Sequence, residues 1–241
     1  MKGFFTVEMG LRDMLYVSYL LPAGRLRPLL PTSLEPACVE GDTVFVSLVA
    51  FRGTTTALSV LPSPRFHFDQ VNIRTYVWDP ISGGPAVYFI HCGIGGAMIT
   101  SLYRFLSGMP VEHALFGIDA GIDRDGHYAA YQCVGAWHGP FSLQATEKAA
   151  ALEHLPPFAT RDEAISHLVN PLVGYYQARG RLVRLEVYHG PLVPRVGEAR
   201  AIAFPYLTGL GIAEPDEVAH PHNVLFVPHT PFLISLPPQR V

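Results

Sequence analysis

Lysine is nearly absent from this 241-residue chain, which contains only Lys2 and Lys148. Lys2 stands next to the amino terminus, and Lys148 lies in the polar, loop-like stretch TEKAAALEH. An amine that attacks a carbonyl group needs a desolvated site, or a neighbouring cation, that lowers its pKa. Neither lysine has such surroundings in the sequence, so we do not expect Schiff-base catalysis by this chain.

Charged residues of any kind are scarce, at 15% of the chain against 49% hydrophobic residues, and the net charge is −3. This composition supplies a large core and argues against disorder. Lysine and arginine do not cluster, so the chain lacks the basic surface that nucleic acids bind. There is no internal repeat and no composition shift, and the sequence therefore predicts a single domain over residues 1–241.

Cysteine is also rare, since Cys38, Cys92 and Cys133 are widely spaced and form no CxxC pair. That pattern is typical of reduced thiols in a cytosolic protein. No apolar run reaches the length of a membrane span, and Glu8 interrupts the start before a signal peptide could form. We expect a soluble cytoplasmic protein with no membrane partner.

Proline and glycine, 22 of each, are spread along the chain and divide it into short segments, as in a β-rich domain. One segment, TVFVSLVAF, is apolar on both faces, so we expect it to be buried on both sides. Strands are predicted over residues 15–21, 43–51, 66–78, 86–91, 128–137, 182–189 and 223–227.

Helices are fewer. One is predicted over residues 95–108, with Gly108 as its natural end. A second is predicted over residues 164–180, because Thr160 and Glu163 form a capping box ahead of it.

Three further features complete the predicted architecture. Pro171 should kink or restart the second helix near Asn170. A short apolar helix is expected near Leu26. Residues 138–160 are predicted to form the longest surface segment. These elements favour one α+β domain, built on a strongly curved antiparallel sheet or barrel with helices outside it.

The stretch FDQVNIRTYVW, residues 68–78, carries a row of polar side chains. Alternation places one set of side chains on one face of the strand, namely Asp69, Val71, Ile73, Thr75 and Val77. The other face carries Phe68, Gln70, Asn72, Arg74, Tyr76 and Trp78. That row is either the solvated side of an ordinary sheet or the wall of a pocket.

Neither a dinucleotide nor a metal ion is indicated. The glycines of HCGIGGAM fail the dinucleotide-binding spacing at Met98, and a tight turn that opens a helix is the better interpretation. The densest histidine group, His220 and His222 with His229, surrounds a proline and has no metal-ligand spacing. We therefore expect no cofactor and no metal.

The stretch YRFLSGMPVEHALFG places Arg104, Glu112 and His113 around a turn. Spacing alone favours the end of one helix followed by a second helix with solvated charges. The functional alternative makes Glu112 or His113 an acid/base group beside an arginine that binds a carboxylate.

The motif NIRTYV resembles the signature of the YqjF-like family of bacterial proteins, which is grouped with the acetoacetate decarboxylase-like superfamily. YLLPAGRLRPLLPTSLEP, residues 19–36, is similar to the superfamily's opening. RLVRLEVYHGPL, residues 181–192, resembles a YqjF-type segment with Leu192 in place of tryptophan. The resemblance covers nearly the whole chain and implies a cone-shaped antiparallel β-barrel that encloses a pocket, with peripheral helices.

The chain departs from the decarboxylases at the positions that carry their chemistry. Two lysines follow the proline in those enzymes, where this chain has Val111 and Glu112. Gln70 replaces a glutamate, and Gln132 replaces an arginine. The resemblance therefore implies a divergent member that keeps a pocket without the decarboxylase mechanism.

Two functions remain open. The first is an enzyme for a small or polyketide-like carbonyl compound or keto acid, of lyase, hydratase, cyclase or isomerase type. Arg74 would hold a carboxylate or enolate oxygen, and Tyr76 would transfer a proton. Glu112 or His113 would serve as the acid/base group. The substrate-binding residues would be Gln70, Asn72, Arg104 and Gln132.

The second is a non-catalytic protein that binds a small molecule in the same pocket. A structural role for Arg74 is a further alternative, in which Asp69 or Glu112 pairs with it and staples strand to helix. A homo-oligomer is compatible with either function.

Overall fold

The computed structural model describes residues 5–58, 65–236 and 238–240. Its first six strands are β1 (Phe5–Pro22), β2 (Thr43–Leu58), β3 (His67–Trp78), β4 (Pro85–Gly95), β5 (Val111–Ile122) and β6 (Tyr128–Ala136). The others are β7 (Pro140–Glu147), β8 (Val173–Ala178), β9 (Arg181–Tyr188), β10 (Arg195–Ala203), β11 (Asn223–Leu236) and β12 (Gln239–Arg240). The helices are α1 (Ala97–Ser107), α2 (Arg161–Leu168), α3 (Pro205–Gly209) and α4 (Pro215–Ala219).

Seven strands close into a ring, which we call the first ring. Its order is β9, β8, β4, β3, β2, β1 and β11, and β11 pairs with β9 again to complete it. The pairings are antiparallel apart from the short parallel pair between β4 and β8. One of the two buried apolar clusters fills the interior of this ring.

Strands β5, β6, β7 and β10 bridge from β4 to β11 on the outer side of the same wall. With β1 to β4 and β11 they close a second ring, whose interior is the other apolar cluster. Five strands therefore belong to both rings, and their side chains alternate between two interiors.

Strand β2 shows the consequence of this shared wall. Val46 and Leu48 pack in the second ring, while Phe45, Val49 and Phe51 pack in the first. All five are buried. The predicted burial on both sides is confirmed, and its cause is a sheet with a core on each face.

Glycines bound helix α1. Gly96 precedes it with φ 99°, and Gly108 follows it with φ 69°, a left-handed conformation that glycine adopts without strain. The predicted end at Gly108 is confirmed. Thr160 caps α2 as predicted, because its side chain accepts a hydrogen bond from the Glu163 amide at 3.2 Å.

The seven predicted strands all occur, although β1 and β11 extend well beyond their predicted ends. The predicted helix beyond the turn at Pro110 is wrong, because that segment forms β5 and pairs with β4 and β6. Pairing with distant strands outweighs the local preference there. Near Leu26 the chain forms two 3₁₀ turns instead of an α-helix.

Two other predictions need correction. The second helix ends at Leu168, and the residues after Pro171 form strand β8 instead of restarting the helix. Proline stops the helix, and the tyrosine-containing sequence that follows suits a sheet. The predicted surface segment over residues 138–160 contains strand β7, so only its second half is irregular. No sequence pattern predicted strand β10 or helices α3 and α4.

A buried ionic network ties three strands of the first ring together. Asp79, directly after β3, accepts hydrogen bonds from the Arg184 guanidinium on β9 at 3.0 Å and from the Tyr175 hydroxyl on β8 at 2.6 Å. Burial opposes ionisation of Asp79, but these hydrogen bonds hold its pKa well below its ordinary value. None of the helices in the described ranges is long and apolar enough to cross a membrane.

Candidate functional site

The polar row of β3 faces the interior of the first ring. Gln70, Asn72 and Arg74 are buried there, while Val71 and Ile73 face the second ring. Strand alternation alone sets this division, because both neighbours, β2 and β4, pair along the whole row. The polar side chains thus line an enclosed space and not a solvated sheet face.

This space is a cavity of about 100 Å³, which we call the barrel cavity. Strands β1, β2, β3, β4, β9 and β11 contribute to its wall, and α1 with the turn after it closes one side. The lining residues are Met9, Leu11, Met14, Tyr16, Val49, Phe51, Gln70, Asn72, Arg74, Phe89, Tyr103, Met109, Leu185, Val187, Phe232 and Ile234. A mostly apolar wall with a few convergent polar groups is typical of small-molecule sites.

Arg74 is the charged residue of this wall and is only 9% exposed. Its Nη2 donates hydrogen bonds to the Leu168 carbonyl at 2.7 Å and to the Tyr76 hydroxyl at 3.3 Å. Its guanidinium carbon lies 5.1 Å from the Tyr16 ring centroid and 5.5 Å from that of Tyr76, within the range of cation–π attraction. Its Nε is buried without a hydrogen-bond partner among the described residues.

Within the described ranges, no carboxylate pairs with this charge. Arg74 takes part in none of the ion pairs formed by the described residues. Asp69 accepts a hydrogen bond from the Ile118 amide instead. The structural alternative, in which Asp69 or Glu112 pairs with Arg74, is therefore wrong. Burial opposes ionisation of Arg74, but a guanidinium is not deprotonated in proteins, so the site is cationic.

Gln70 and Asn72 form an amide pair beside this cation. The Gln70 Nε2 donates to the Asn72 Oδ1 at 2.6 Å. The Gln70 Oε1 is buried and has no partner in the described part of the chain. Gln70 and Arg74 thus each keep one buried polar atom without a partner among the described residues, and such an atom is costly to leave unpaired.

Tyr76 lies on the same face but is not part of the cavity wall. Its hydroxyl donates to the Leu168 carbonyl at 2.9 Å and lies 2.9 Å from the Ser47 hydroxyl, which in turn contacts Ser18. These contacts make Tyr76 a support that holds the guanidinium of Arg74 in place. Its predicted role in proton transfer stays a prediction.

Two tyrosines that the sequence did not reveal complete the polar end of the cavity. Tyr16 comes from β1, and Tyr103 comes from α1. Burial raises the pKa of Tyr16, although Arg74 opposes this shift. Burial also raises the pKa of Tyr103. Both side chains are neutral phenols that can donate a hydrogen bond. Tyr16 lies within the strand predicted over residues 15–21, and that was the available signal.

Comparison with known proteins gives the chain a family. Its sequence matches the DUF2071 family of uncharacterised conserved proteins over residues 8–230. The chain belongs to the DUF2071 family. No curated protein is significantly similar to it in sequence.

Solved structures show the fold of this DUF2071 chain. An acetoacetate decarboxylase-like enzyme from Sphingomonas wittichii RW1 is 14% identical, with a TM-score of 0.61, and the match covers 98% of this chain and 92% of that one. The enduracididine biosynthesis enzyme MppR complexed with pyruvate is 15% identical, with a TM-score of 0.61 over 100% and 91% of the two chains. An acetoacetate decarboxylase from Legionella pneumophila is 11% identical, with a TM-score of 0.58 over 98% and 87%.

At these identities the likeness concerns the fold alone. It confirms the predicted α+β class, an acetoacetate decarboxylase-like barrel with peripheral helices. The family match confirms the resemblance to the YqjF-like family, and the low identities fit a divergent chain.

The second predicted group of this DUF2071 chain does not join the barrel cavity. Glu112 lies on β5 and accepts hydrogen bonds from the Trp137 indole at 2.9 Å and from His138 at 2.5 Å, with His91 at 3.6 Å. Burial opposes ionisation of Glu112, but the bonds from Trp137 and His138 hold its pKa below its ordinary value. It is a paired carboxylate on the side of the second ring.

The three remaining predicted residues are exposed. His113 is the neighbour of Glu112 on β5, and Gln132 lies on β6. Arg104 lies on α1, where its Nη2 donates to the Val111 carbonyl at 2.5 Å. None of the three belongs to the wall of the barrel cavity. Their roles in binding or catalysis stay predictions.

Lys148 lies outside the barrel cavity as well. Its side chain is half exposed, and its amine is 4.0 Å from the Glu198 carboxylate. Lys2 falls outside the described residues. Histidine, cysteine and acidic side chains form no group suited to a metal ion within the described ranges.

Proposed function

We propose that the barrel cavity binds a small oxo acid and promotes a reaction in which negative charge develops on its carbonyl oxygen. Arg74 would hold the carboxylate, and no Schiff base would form. The unbalanced charge of buried Arg74 carries this proposal. A buried cation without an anion is costly, and a bound carboxylate would supply the missing partner.

The other polar groups suit the rest of such a ligand. Tyr16 is a neutral phenol next to Arg74 and can donate a hydrogen bond to a carbonyl or enolate oxygen. The unpaired Gln70 oxygen can accept a hydrogen bond from a hydroxyl or an enol. The Asn72 amide is held in place by its bond to Gln70. Together these groups would orient a carbonyl compound without a covalent link.

Structural relatives add support. MppR was determined with pyruvate, which is a 2-oxo acid, and also with the condensation product of pyruvate and imidazole 4-carboxaldehyde. A 2-oxo acid carries a carboxylate and a carbonyl group on adjacent carbons. Arg74 would bind the carboxylate, and the neighbouring amides and phenols would form hydrogen bonds with the carbonyl oxygen. The proposal covers four reaction types, those of a lyase, a hydratase, a cyclase and an isomerase, and does not choose among them.

Pyruvate and its neutral analogue pyruvamide test the binding step. We expect pyruvate to raise the Tm of the protein, and pyruvamide to raise it far less because it lacks the charge that Arg74 would pair with. Arg74→Met should abolish the pyruvate effect, while Arg200→Met, at an exposed arginine of β10, should keep it. Equal stabilisation by pyruvate in the Arg74→Met and unmodified proteins would overturn the proposal.

A non-catalytic binding protein is the second candidate, and one observation favours it. Among the described residues, the wall of the barrel cavity contains no Asp, Glu, His, Lys or Cys, so these residues supply no conventional general base. Proton NMR of 2-oxobutanoate in D₂O separates the two candidates. Enzyme-dependent loss of the C3 proton signal, or consumption of the compound, supports catalysis. Binding that leaves both unchanged supports the binding protein.

A further inference from the structure

A second compartment adjoins the barrel cavity. It measures about 60 Å³, and we call it the tail compartment. Five residues line both spaces, namely Met9, Tyr103, Met109, Leu185 and Ile234. The residues that line the tail compartment alone are Val7, Thr55, Ile99, Leu102, Ser107 and Tyr176. The two spaces therefore share a wall and lie side by side, and helix α1 covers the second.

The polar side-chain atoms of Thr55, Ser107 and Tyr176, which line the tail compartment alone, are already used within the protein. The Tyr176 hydroxyl donates to the Ser107 carbonyl at 2.6 Å, and the Ser107 hydroxyl donates to the Tyr103 carbonyl at 2.7 Å. The Thr55 hydroxyl accepts from the Phe66 amide at 3.0 Å. None of the described residues that line the compartment is charged. A polar group placed there would lose its hydration without finding a partner.

The two compartments thus differ in chemistry along one direction. The barrel cavity has a cation and unpaired amide and guanidinium atoms at Gln70 and Arg74. The tail compartment offers only apolar surface, from residues such as Val7, Ile99 and Leu102. A small apolar void remains dry when empty and readily takes an apolar guest.

We propose that the ligand is an amphiphilic oxo acid whose short alkyl chain extends from the barrel cavity into the tail compartment. This inference rests on the proposed function, because Arg74 must hold the carboxylate for the chain to point towards α1. An apolar cavity of roughly 150 Å³ accommodates the six carbons of benzene. On that scale, the 60 Å³ of the tail compartment corresponds to about two or three carbons.

Straight-chain 2-oxo acids from pyruvate to 2-oxooctanoate test this inference by titration calorimetry. Each methylene that enters the tail compartment should tighten binding about fourfold, and the gain should stop once the compartment is full. Equal affinity for pyruvate and the longer acids would overturn the tail assignment and leave the carboxylate site intact. Failure of every acid to bind would overturn both.

Two substitutions on α1 localise the effect. Ile99→Phe fills the tail compartment from a buried position, whereas Met98→Phe adds the same ring at a side chain that is 71% exposed. We expect Ile99→Phe to keep pyruvate affinity within about twofold and to lose the chain-length gain. Met98→Phe should retain both. A chain-length gain that persists in folded Ile99→Phe would place the alkyl chain elsewhere and overturn the inference.

Val7→Phe provides a second route to the same result. Val7 lines the tail compartment from β1. The phenylalanine ring of this variant would therefore fill the space from β1 instead of α1. If Ile99→Phe does not fold, Val7→Phe should show the same loss of chain-length dependence. The series on the unmodified protein decides the inference if neither variant folds.

Discussion

Arg74 donates a 2.7 Å hydrogen bond to the backbone carbonyl of Leu168, the last residue of α2. The carbonyls at the end of a helix lack partners within the helix and carry partial negative charge. This contact is the nearest that the described residues come to a counter-ion for Arg74. A partial charge orients the guanidinium and leaves most of its positive charge available to a ligand.

Replacing Arg74 with methionine should leave the empty protein as stable as before, or more stable by about 1–2 kcal/mol. Methionine removes the desolvated charge and keeps most of the volume. The Leu168 carbonyl keeps a donor, because the Tyr76 hydroxyl also bonds to it at 2.9 Å. Urea denaturation without ligand measures the change. A loss of several kcal/mol would assign Arg74 a structural role.

Replacing Arg184 with methionine should instead destabilise the protein. Arg184→Met leaves the Asp79 carboxylate buried without its cation, and Tyr175 and Ser82 alone cannot compensate. We expect a loss of about 3–5 kcal/mol in the free energy of unfolding. Glu198→Gln, which removes an exposed partner of Arg200 and Lys148, should cost less than about 1 kcal/mol. Similar losses in the two variants would contradict the role of the Asp79 network.

Stability should fall as the pH decreases from about 6.5 to about 4. Burial lowers the pKa of His167 to about 4 from its ordinary 6.5, and the ring packs against Phe45, Tyr76 and Phe158. The unfolded chain binds a proton near 6.5, whereas the folded protein binds it only near 4. Acid therefore favours unfolding across this window, by up to about 3 kcal/mol.

Thermal melts of His167→Phe check this dependence. The variant keeps an aromatic ring and cannot titrate, so its Tm should vary less between pH 6.5 and 4 than that of the unmodified protein. His154→Gln, at an exposed histidine, should retain the full dependence. An unchanged pH profile in His167→Phe would assign the acid sensitivity to other groups.

Borohydride should not trap an oxo acid on this protein. The amine of Lys148 lies half exposed, 4.0 Å from the Glu198 carboxylate, and it does not line the barrel cavity. After incubation with pyruvate and borohydride, intact-mass spectrometry should show the unmodified mass. A stable adduct that disappears in Lys148→Arg would contradict the absence of Schiff-base chemistry.

The sequence was sufficient to find the polar row of β3. Alternation is local, so Gln70, Asn72 and Arg74 could be placed on one face without knowledge of the fold. Their binding role stays a prediction. The sequence did not show at which residue of β3 the cavity ends. That limit depends on α2, whose last carbonyl binds the Tyr76 hydroxyl.

The rest of the site depends on contacts between distant segments. Tyr16 and Tyr103 reach the cavity from β1 and α1, and no pattern in the chain relates those positions to β3. Glu112 follows α1 closely, yet the parallel pairing of β5 with β4 turns its side chain towards Trp137. Such pairings are set by tertiary packing, which overrides local propensity.

The wall between the two rings limits how the family can change in length. The middle of β3 has a core on each face, so one residue inserted within β3 before Gln70 would exchange the inward and outward sets of every later position. The Arg74 charge would then lie among Tyr88 and the other apolar residues of the second ring, and Ile73 would take its place in the cavity. Insertions and deletions should therefore accumulate in turns such as residues 79–84 and be excluded from the middle of β3.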